Sequence, residues 1–418
     1  MQRYDTYKPS GVKWLGEIPS HWEVIKTSHL FTHIGSGTTP KSGSEEYYTE
    51  DGIPFLQTGD LNDGFIVDTS KKITEKALRD TNLTIYLQGS LVIAMYGATI
   101  GKLGILGIDT TVNQACCVLP KSPKVETRFA FYAYLAAKND LIFQSKGGGQ
   151  PNISQDTIKN ERIPVPSRAE QTAIANYLDA ATAKIDAAIA QQQKMIDLLN
   201  ERKQIIINRA VTKGLNSNAK MKDSGVEWIG EVPEHWEILP YRYLFYNLDK
   251  LRMPITADQR SRNNPQYDYY GASGVIDKID YYNVEDKVLL IGEDGANLLM
   301  RNLPLIYKAE GKFWVNNHAH ILKPIRDDYD YLAYVMEAAD YTLFITGSAQ
   351  PKLSQANLNC VKLPIPPLEE QKAIVDYLSK RTSKIDEAIK ESNSMISLLQ
   401  ERKQIVINEV VTGKVKVG

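Results

Sequence analysis

The chain says the same thing twice. GVKWLGEIPSHWEV at 11–24 returns as GVEWIGEVPEHWEI at 225–238, an offset of 214 residues. GGGQPNISQDTIKNERIPVP at 147–166 returns as GSAQPKLSQANLNCVKLPIP at 347–366, an offset of 200. A third block runs on from it. EQTAIANYLDAATAKIDAAIA from Glu170 answers EQKAIVDYLSKRTSKIDEAIK from Glu370, and LLNERKQIIINRAVT from Leu198 answers LLQERKQIVINEVVT from Leu398. Between the first and second blocks, residues 25–149 and 239–349 show little similarity. An internal repeat constrains a fold more than any single motif, because each copy must build the same unit. Each half is therefore a shared frame around an individual insert. Matched frames imply a common job, and diverged inserts imply recognition of two different things.

The frames end in long helices. From Ser167 onward Ile174, Leu178, Ala181, Ile185, Ala188, Ile189, Met195, Ile196, Leu199 and Ile206 recur at three- and four-residue steps, with polar residues between them. Pro164 and Pro166 forbid helix before that point, Ser167 with Glu170 makes a capping box, and Gly214 is the natural stop. In the copy Pro366 and Pro367 lead in, Ile374, Leu378, Ile385, Ala388, Ile389, Met395, Leu399 and Val406 form the stripe, and Gly413 stops it. Some 45 residues of helix span roughly 65 Å. One such helix with one apolar stripe cannot stand alone in water, so the two are expected to bury each other as a coiled coil. Polar Gln192 and Ser392 interrupt the stripes and fit a register-fixing role. Only about ten residues separate the first helix from the second frame, so the second domain begins near that helix's far end and the second helix must run back. The pair is then antiparallel. Two independent domains on separate helical linkers are the alternative.

The expected fold is α+β. Two mixed α/β domains, over 1–166 and 215–366, with lead-in segments 11–24 and 225–238, are joined by spacer helices over 167–214 and 367–413, with an internal pseudo-twofold repeat. A length of 418 residues has room for this, and no signal or membrane span is evident, so a soluble cytoplasmic protein is expected. Cys116, Cys117 and Cys360 show neither disulfide nor zinc spacing and are expected reduced and mostly buried. The formal net charge of −1 excludes binding nucleic acid through a global basic field. Any DNA binding must be local or shared with a partner. In the lead-in blocks Trp14 with Trp22, and Trp228 with Trp236, are expected to anchor a turn-rich segment on a neighbouring surface, a packed latch rather than a ligand site.

Within the inserts, SLVIAMYG at 90–97, ACCVLP at 115–120, KVLLIG at 287–292 and HAHILKP at 318–324 read as strands, with a helix near the end of each domain at 128–139 and 330–339. Several stretches imitate enzyme motifs. GATIGK at 97–102 has one residue too few between its glycines for a phosphate loop, and Leu103 stands where a magnesium-holding hydroxyl belongs. NPQY at 264–267 is spoiled as a methyltransferase tetrapeptide by Gln266, and no glycine-rich cofactor loop precedes it. His318 and His320 would face one way on a strand, but without a third ligand they are expected to be structural. Glu293 and Asp294 lack the lysine pattern of a nuclease and read as a solvated or base-contacting turn.

What remains is a set of polar loops. Thr38, Thr39 and Lys41, Tyr96, Thr99 and Lys102, then Lys146, Gln150 and Asn152 are the candidate DNA contacts of the first insert. Arg260, Arg262, Tyr270, Ser273, Asn297, Arg301, Gln350 and Lys352 are those of the second. Such side chains hydrogen-bond base edges and phosphates, and the interleaved glycines let backbone approach them. The same composition is typical of ordinary surface loops.

Two diverged inserts, each followed by a Q-P-x-[IL]-S-Q block, a Pro-rich strand, an E-Q-x-A-I-x-x-Y-L helix and an L-L-x-E-R-K-Q run, resemble the specificity subunit of a type I restriction-modification system over the whole chain. The resemblance implies that each insert is a target recognition domain reading one half of a split, asymmetric site in double-stranded DNA. It implies that the helices set the unread gap and dock two modification subunits, with restriction subunits joining the full complex. Glu170, Gln171, Ile174, Tyr177 and Leu178, with Glu370, Gln371, Ile374, Tyr377 and Leu378, match the family's helix start. By the same resemblance S-adenosylmethionine, ATP and magnesium belong to the partner subunits, and this chain has no cofactor, no metal and no catalytic residue. A methyltransferase or nuclease with its own recognition domains, and a coiled-coil adaptor that binds no DNA, are the rival classes.

Overall fold

The computed structural model describes residues 2–145, 152–260, 264–347 and 350–417. It divides into two compact units, residues 1–192 with 394–418, and residues 193–393.

In the first unit the main sheet runs in the order Gly35–Ser36, Cys116–Leu119, Leu91–Ala94, Leu103–Leu106, Gly64–Ile66. Its three central strands, Cys116–Leu119, Leu91–Ala94 and Leu103–Leu106, read as unbroken apolar runs because both faces are covered. Leu91, Ile93, Cys117 and Leu119 pack with the helix Thr127–Phe143, while Val92, Ala94, Cys116 and Val118 face a second core with Leu56, Tyr86 and Val112. Burial pushes both of these thiols up, that of Cys117 to about 12. Cys360, by contrast, is exposed. A three-stranded sheet, Thr111–Val112, Tyr48–Leu56 and Lys71–Ile73, completes the insert.

The second unit carries a different sheet of six strands, in the order Phe245–Asn247, Ala319–Pro324, Val284–Gly292, Ile306–Val315, Tyr267–Gly271, Gly274–Ile279. Leu289, Ile291 and Leu322 face the helix Tyr329–Ala338, and Val288, Leu290 and Ile321 face the opposite core. The period of two is the same device applied to another topology.

The frames are built alike in both units. The end of the first block pairs antiparallel with the Pro-rich strand, Glu23–Lys26 on Arg162–Val165 and Glu237–Pro240 on Lys362–Ile365. Each lead-in is a small hairpin, Tyr7–Pro9 on Glu17–Pro19 and Met221–Asp223 on Glu231–Pro233. The long helices span Arg168–Lys213 and Leu368–Val411. Each is followed by a glycine in the left-handed region, Gly214 at φ +70° and Gly413 at φ +71°, which a side chain would strain.

In each unit the early part of one long helix lies beside the late part of the other, so the pairing is antiparallel. Ile174 and Leu178 share a core with Ile407, Val410 and Val411 in the first unit. Ile374 and Leu378 share one with Ile207, Ala210 and Val211 in the second. Ile174, Leu178, Ile196, Ile374, Leu378 and Ile385 are buried, and Ile185, Ile189, Leu199, Ile206, Ile389, Leu399 and Val406 half-buried. Two expectations need correction. Met195 and Met395 are not in the buried stripe but 48% and 46% exposed, and Ile207 and Ile407, not the residues before them, are fully buried. From Ile196 to Ile207 is eleven residues, three turns at about 3.67 per turn, which brings the buried face back to 207.

Candidate nucleic-acid interface

Two sites recur in both units: a junction that holds the insert on its long helix, and a loop cluster at one end of the insert's main sheet.

The junction is formed by the adjacent Glu and Gln at the helix start. Glu170 takes Ser167 Oγ–H at 2.9 Å as a cap, Trp22 Nε1–H at 3.3 Å, and lies 2.9 Å from His21 Nε2. Glu370 repeats this with Trp236 at 3.0 Å and His235 at 2.6 Å. Burial alone would raise the Glu170 carboxyl, but the bonds from His21, Ser167 and Trp22 win and hold it below the usual range. Gln171 is 1% exposed; its Oε1 accepts the Glu126 amide at 2.7 Å and its Nε2 donates to Pro166 O at 2.9 Å. Gln371, also 1% exposed, accepts the Asp328 amide at 2.8 Å and donates to Pro366 O at 2.9 Å. Glu126 and Asp328 are the N-caps of the insert helices. One Glu–Gln pair thus fastens lead-in segment, long helix and insert helix together.

The tryptophan latch is therefore real, though its two copies differ. Trp14 Nε1 donates to Glu161 Oε1 at 2.9 Å. Trp228 Nε1 has no bonding partner among the described residues, because Val361 stands at the place of Glu161.

In the loop cluster the chain leaves the central strand and meets the Q-P-x-[IL]-S-Q block. Tyr96 bridges to Asn152 in the first unit and Asp294 to Lys352 in the second. Thr99 and Lys102 are half-exposed on the same loop, which packs on the helix end through Gly101 and Ile142. Thr38 and Lys41 are exposed, and Thr39 donates to Gln114 Oε1. Ser273 and Gln350 are exposed, and Arg260 stacks 4.3 Å over Tyr269 while pairing with Asp277 at 3.3 Å. Lys146, Gln150 and Arg262 lie outside the described residues.

Three candidates are occupied within the fold. Tyr270 is 8% exposed and packs edge-on against Phe313, so its ring belongs to the core. Asn297 accepts the Leu303 amide at 2.9 Å and donates to Leu303 and Pro304 carbonyls, closing its own turn. Arg301, at φ +51°, donates to the carbonyls of Glu337 and Ala339 at the end of the insert helix. The histidine pair also separates, since the strand starts at Ala319. His320 is buried with Nδ1 2.6 Å from Asp249 and Nε2 2.8 Å from Leu353 O, which leaves neither nitrogen open to a metal. Among the described residues no group of His, Cys, Asp and Glu is arranged to hold a metal ion. No helix among them is long and apolar enough to cross a membrane.

Fold and sites together define a duplicated protein, two unlike mixed α/β domains each locked by the same junction to a long helix. The family described as Type I restriction modification DNA specificity domain matches residues 19–196 and again 233–395, and the chain belongs to that family. It is 26% identical over 443 residues to the type I restriction enzyme MjaVIII specificity subunit of Methanocaldococcus jannaschii, covering 96% of this chain and 94% of that one. It is 24% identical over 392 residues to the EcoprrI specificity subunit of Escherichia coli, covering 89% and 91%. Its fold is similar to a chain in a solved structure of type I R-M complex assembly and conformational transition, with TM-score 0.67 and 14% identity over 95% of this chain and 99% of that one.

Proposed function

We propose that this chain is the DNA-sequence-recognition subunit of a type I restriction-modification complex. Each insert reads one half of a split, asymmetric site, and the two long helices set the unread gap. The observation that carries this reading is the pairing of one junction, Glu170–Gln171 and Glu370–Gln371, with two unlike sheets. A shared mount with different readers is what an asymmetric two-part sequence requires.

The helices also dock two modification subunits. Met195, Leu198 and Ile205 are 48–59% exposed, and Met395, Leu398 and Ile405 are 46–60% exposed at the same frame positions. At about 100° per residue each set falls within an arc of about 80°, a second apolar face beside the buried one. A repeated face calls for a partner present twice. Adenine methylation with S-adenosylmethionine then belongs to the modification subunits, and ATP- and magnesium-dependent translocation and cleavage to restriction subunits. This chain contributes recognition and no catalytic residue, working in the cytoplasm where the DNA is. Partner subunits around the duplex supply phosphate contacts that a net charge of −1 does not.

Methylome sequencing tests this directly, comparing cells that express the chain with its modification subunit against cells expressing that subunit alone. A split adenine motif appearing only with the chain is the expected result. No motif from an assembled, active complex would favour the adaptor reading.

A further inference from the structure

The inserts do not align by sequence, but two backbone contacts put them in register. In the first unit the Ile153 amide donates to Met95 O at 2.7 Å, next to the lone antiparallel bridge between Tyr96 and Asn152. In the second the Leu353 amide donates to Glu293 O at 2.9 Å, next to the same bridge between Asp294 and Lys352. Tyr96 lies two residues beyond the strand Leu91–Ala94, and Asp294 two beyond the strand Val284–Gly292. Tyr96 is therefore the counterpart of Asp294, and Asn152 of Lys352. The offset is 200 in the frame and 198 in the insert, so no constant shift reveals it.

The position faces outward. The Asp294 and Lys352 side chains are 44% and 36% exposed, and Asn152 is exposed. The helix-end segment packed on this loop, through Ile142 at Gly101 and Ile345 at Gly295, carries the most exposed large apolar side chain among the described residues of its unit. These are Phe143 at 84% and Leu343 at 82%, again 200 apart. Each presents an exposed apolar side chain beside the loop that carries the bridge, able to meet an apolar group such as a thymine methyl.

The chemistry at the position differs between the units. An Asn side chain sets one donor beside one acceptor, the pattern that meets adenine N7 and N6 in the major groove. Asp294 only accepts and Lys352 only donates, and their charged groups lie 3.3 Å apart. That couple matches a G·C pair, cytosine N4–H to the carboxylate and guanine O6 or N7 to the ammonium. Glu293, 3.6 Å from Lys352, keeps Arg252 at 2.8 Å as its own partner when the lysine turns to a base.

Resting on the DNA-reading role proposed above, we propose that Tyr96–Asn152 and Asp294–Lys352 are corresponding specificity-determining positions. The first selects an A·T pair in one half-site, and the second a G·C pair in the other.

The test uses the full chain assembled with its modification subunits. Wild-type chain must first yield a split motif by methylome sequencing; if it yields none, the DNA-reading role itself falls. Given a motif, Tyr96→Asp with Asn152→Lys is expected to convert one A·T pair to G·C in one half-site. Asp294→Tyr with Lys352→Asn is expected to convert one G·C pair to A·T in the other half-site. The remaining bases and the gap stay unchanged. Because a double exchange can disrupt the loop, Asn152→Ala and Lys352→Ala are also measured for binding to duplexes varied at each pair of the motif. Discrimination at one pair is expected to fall by about fivefold or more, with the other pairs unaffected. Unchanged discrimination at every pair, or uniform weakening on every duplex, would overturn the assignment.

Discussion

Lys403 Nζ donates to both carboxylate oxygens of Asp186, at 2.7 and 2.8 Å, tying the late part of the second long helix to the early part of the first. In the other unit Lys203 donates to Asp386 at 2.6 Å, the same pair displaced by 200 residues. Both pairs are open enough to water that each contributes only about 0.2–1 kcal/mol, so they choose register more than they add stability. Lys403→Asp, which sets two carboxylates together, is expected to lower the melting temperature, and a further Asp186→Lys to recover most of the loss. A double-mutant cycle with no coupling would leave register to the apolar stripe alone.

Acid should loosen both units for a common reason. Burial alone would raise Glu170 and Asp249, yet the bonds of Glu170 to His21, Ser167 and Trp22, and the bond and charge of His320 on Asp249, hold both below their usual values. A carboxyl depressed in the folded state contributes stability above its unfolded value, about 4.3 for Glu and 3.9 for Asp. That contribution is lost as pH falls through the folded value. Urea unfolding stability is therefore expected to drop below about pH 4, with a shallower drop in Glu170→Gln and in Asp249→Asn. Equal slopes in wild type and both variants would show that these bonds are not made in solution.

Gln171→Ala leaves the Glu126 amide and the Pro166 carbonyl without the partner they have in a buried site, at a cost of about 1–3 kcal/mol. It also unfastens the insert helix from the long helix that carries it. Beyond a lower melting temperature, methylome sequencing is expected to find methylated sites whose gap is one base pair longer or shorter. Ile73→Ala, in the buried cluster of the three-stranded sheet and away from both the junction and the long helices, is the control, expected to lower stability without relaxing the gap. A Gln171 variant that is only less stable, with the gap as strict as before, would reduce the residue to a structural role.

The long helices were legible because one periodic stripe over some 45 residues admits few other structures, and the repeat displayed it twice. Within the run Ile205-Ile206-Ile207, however, composition cannot say which isoleucine faces inward; only the pitch of the helix decides for Ile207. The central strands were legible because burial on both faces makes them uniformly apolar. The junction was hidden, since Trp22 and Glu170 are 148 residues apart, although both lie in blocks that the two halves share. Asn297 and Arg301 looked like readers because a polar loop must first satisfy its own backbone carbonyls and amides, and uses the same side chains to do it. The correspondence of Tyr96 with Asp294 was out of reach, because a two-residue slip between frame and insert hides it.

The second apolar face of the long helices makes a prediction that separates docking from folding. Met195 and Leu198 are 48% and 51% exposed, so Met195→Glu with Leu198→Glu removes little buried contact and is expected to leave the unfolding free energy within about 0.5 kcal/mol of wild type. The same change at Met395 and Leu398, 46% and 60% exposed, should be equally mild. Leu199→Glu, on the half-buried face, should destabilise the chain itself. Copurification with modification subunits, read by light scattering, is expected to fall from two subunits to one when either face carries the glutamates, and to none when both do. A carboxylate forced into an apolar contact loses its hydration without gaining a partner, which is why two substitutions suffice to abolish docking while costing the free chain little. Full occupancy by both subunits in the variant with all four substitutions would move the docking surface off these helices.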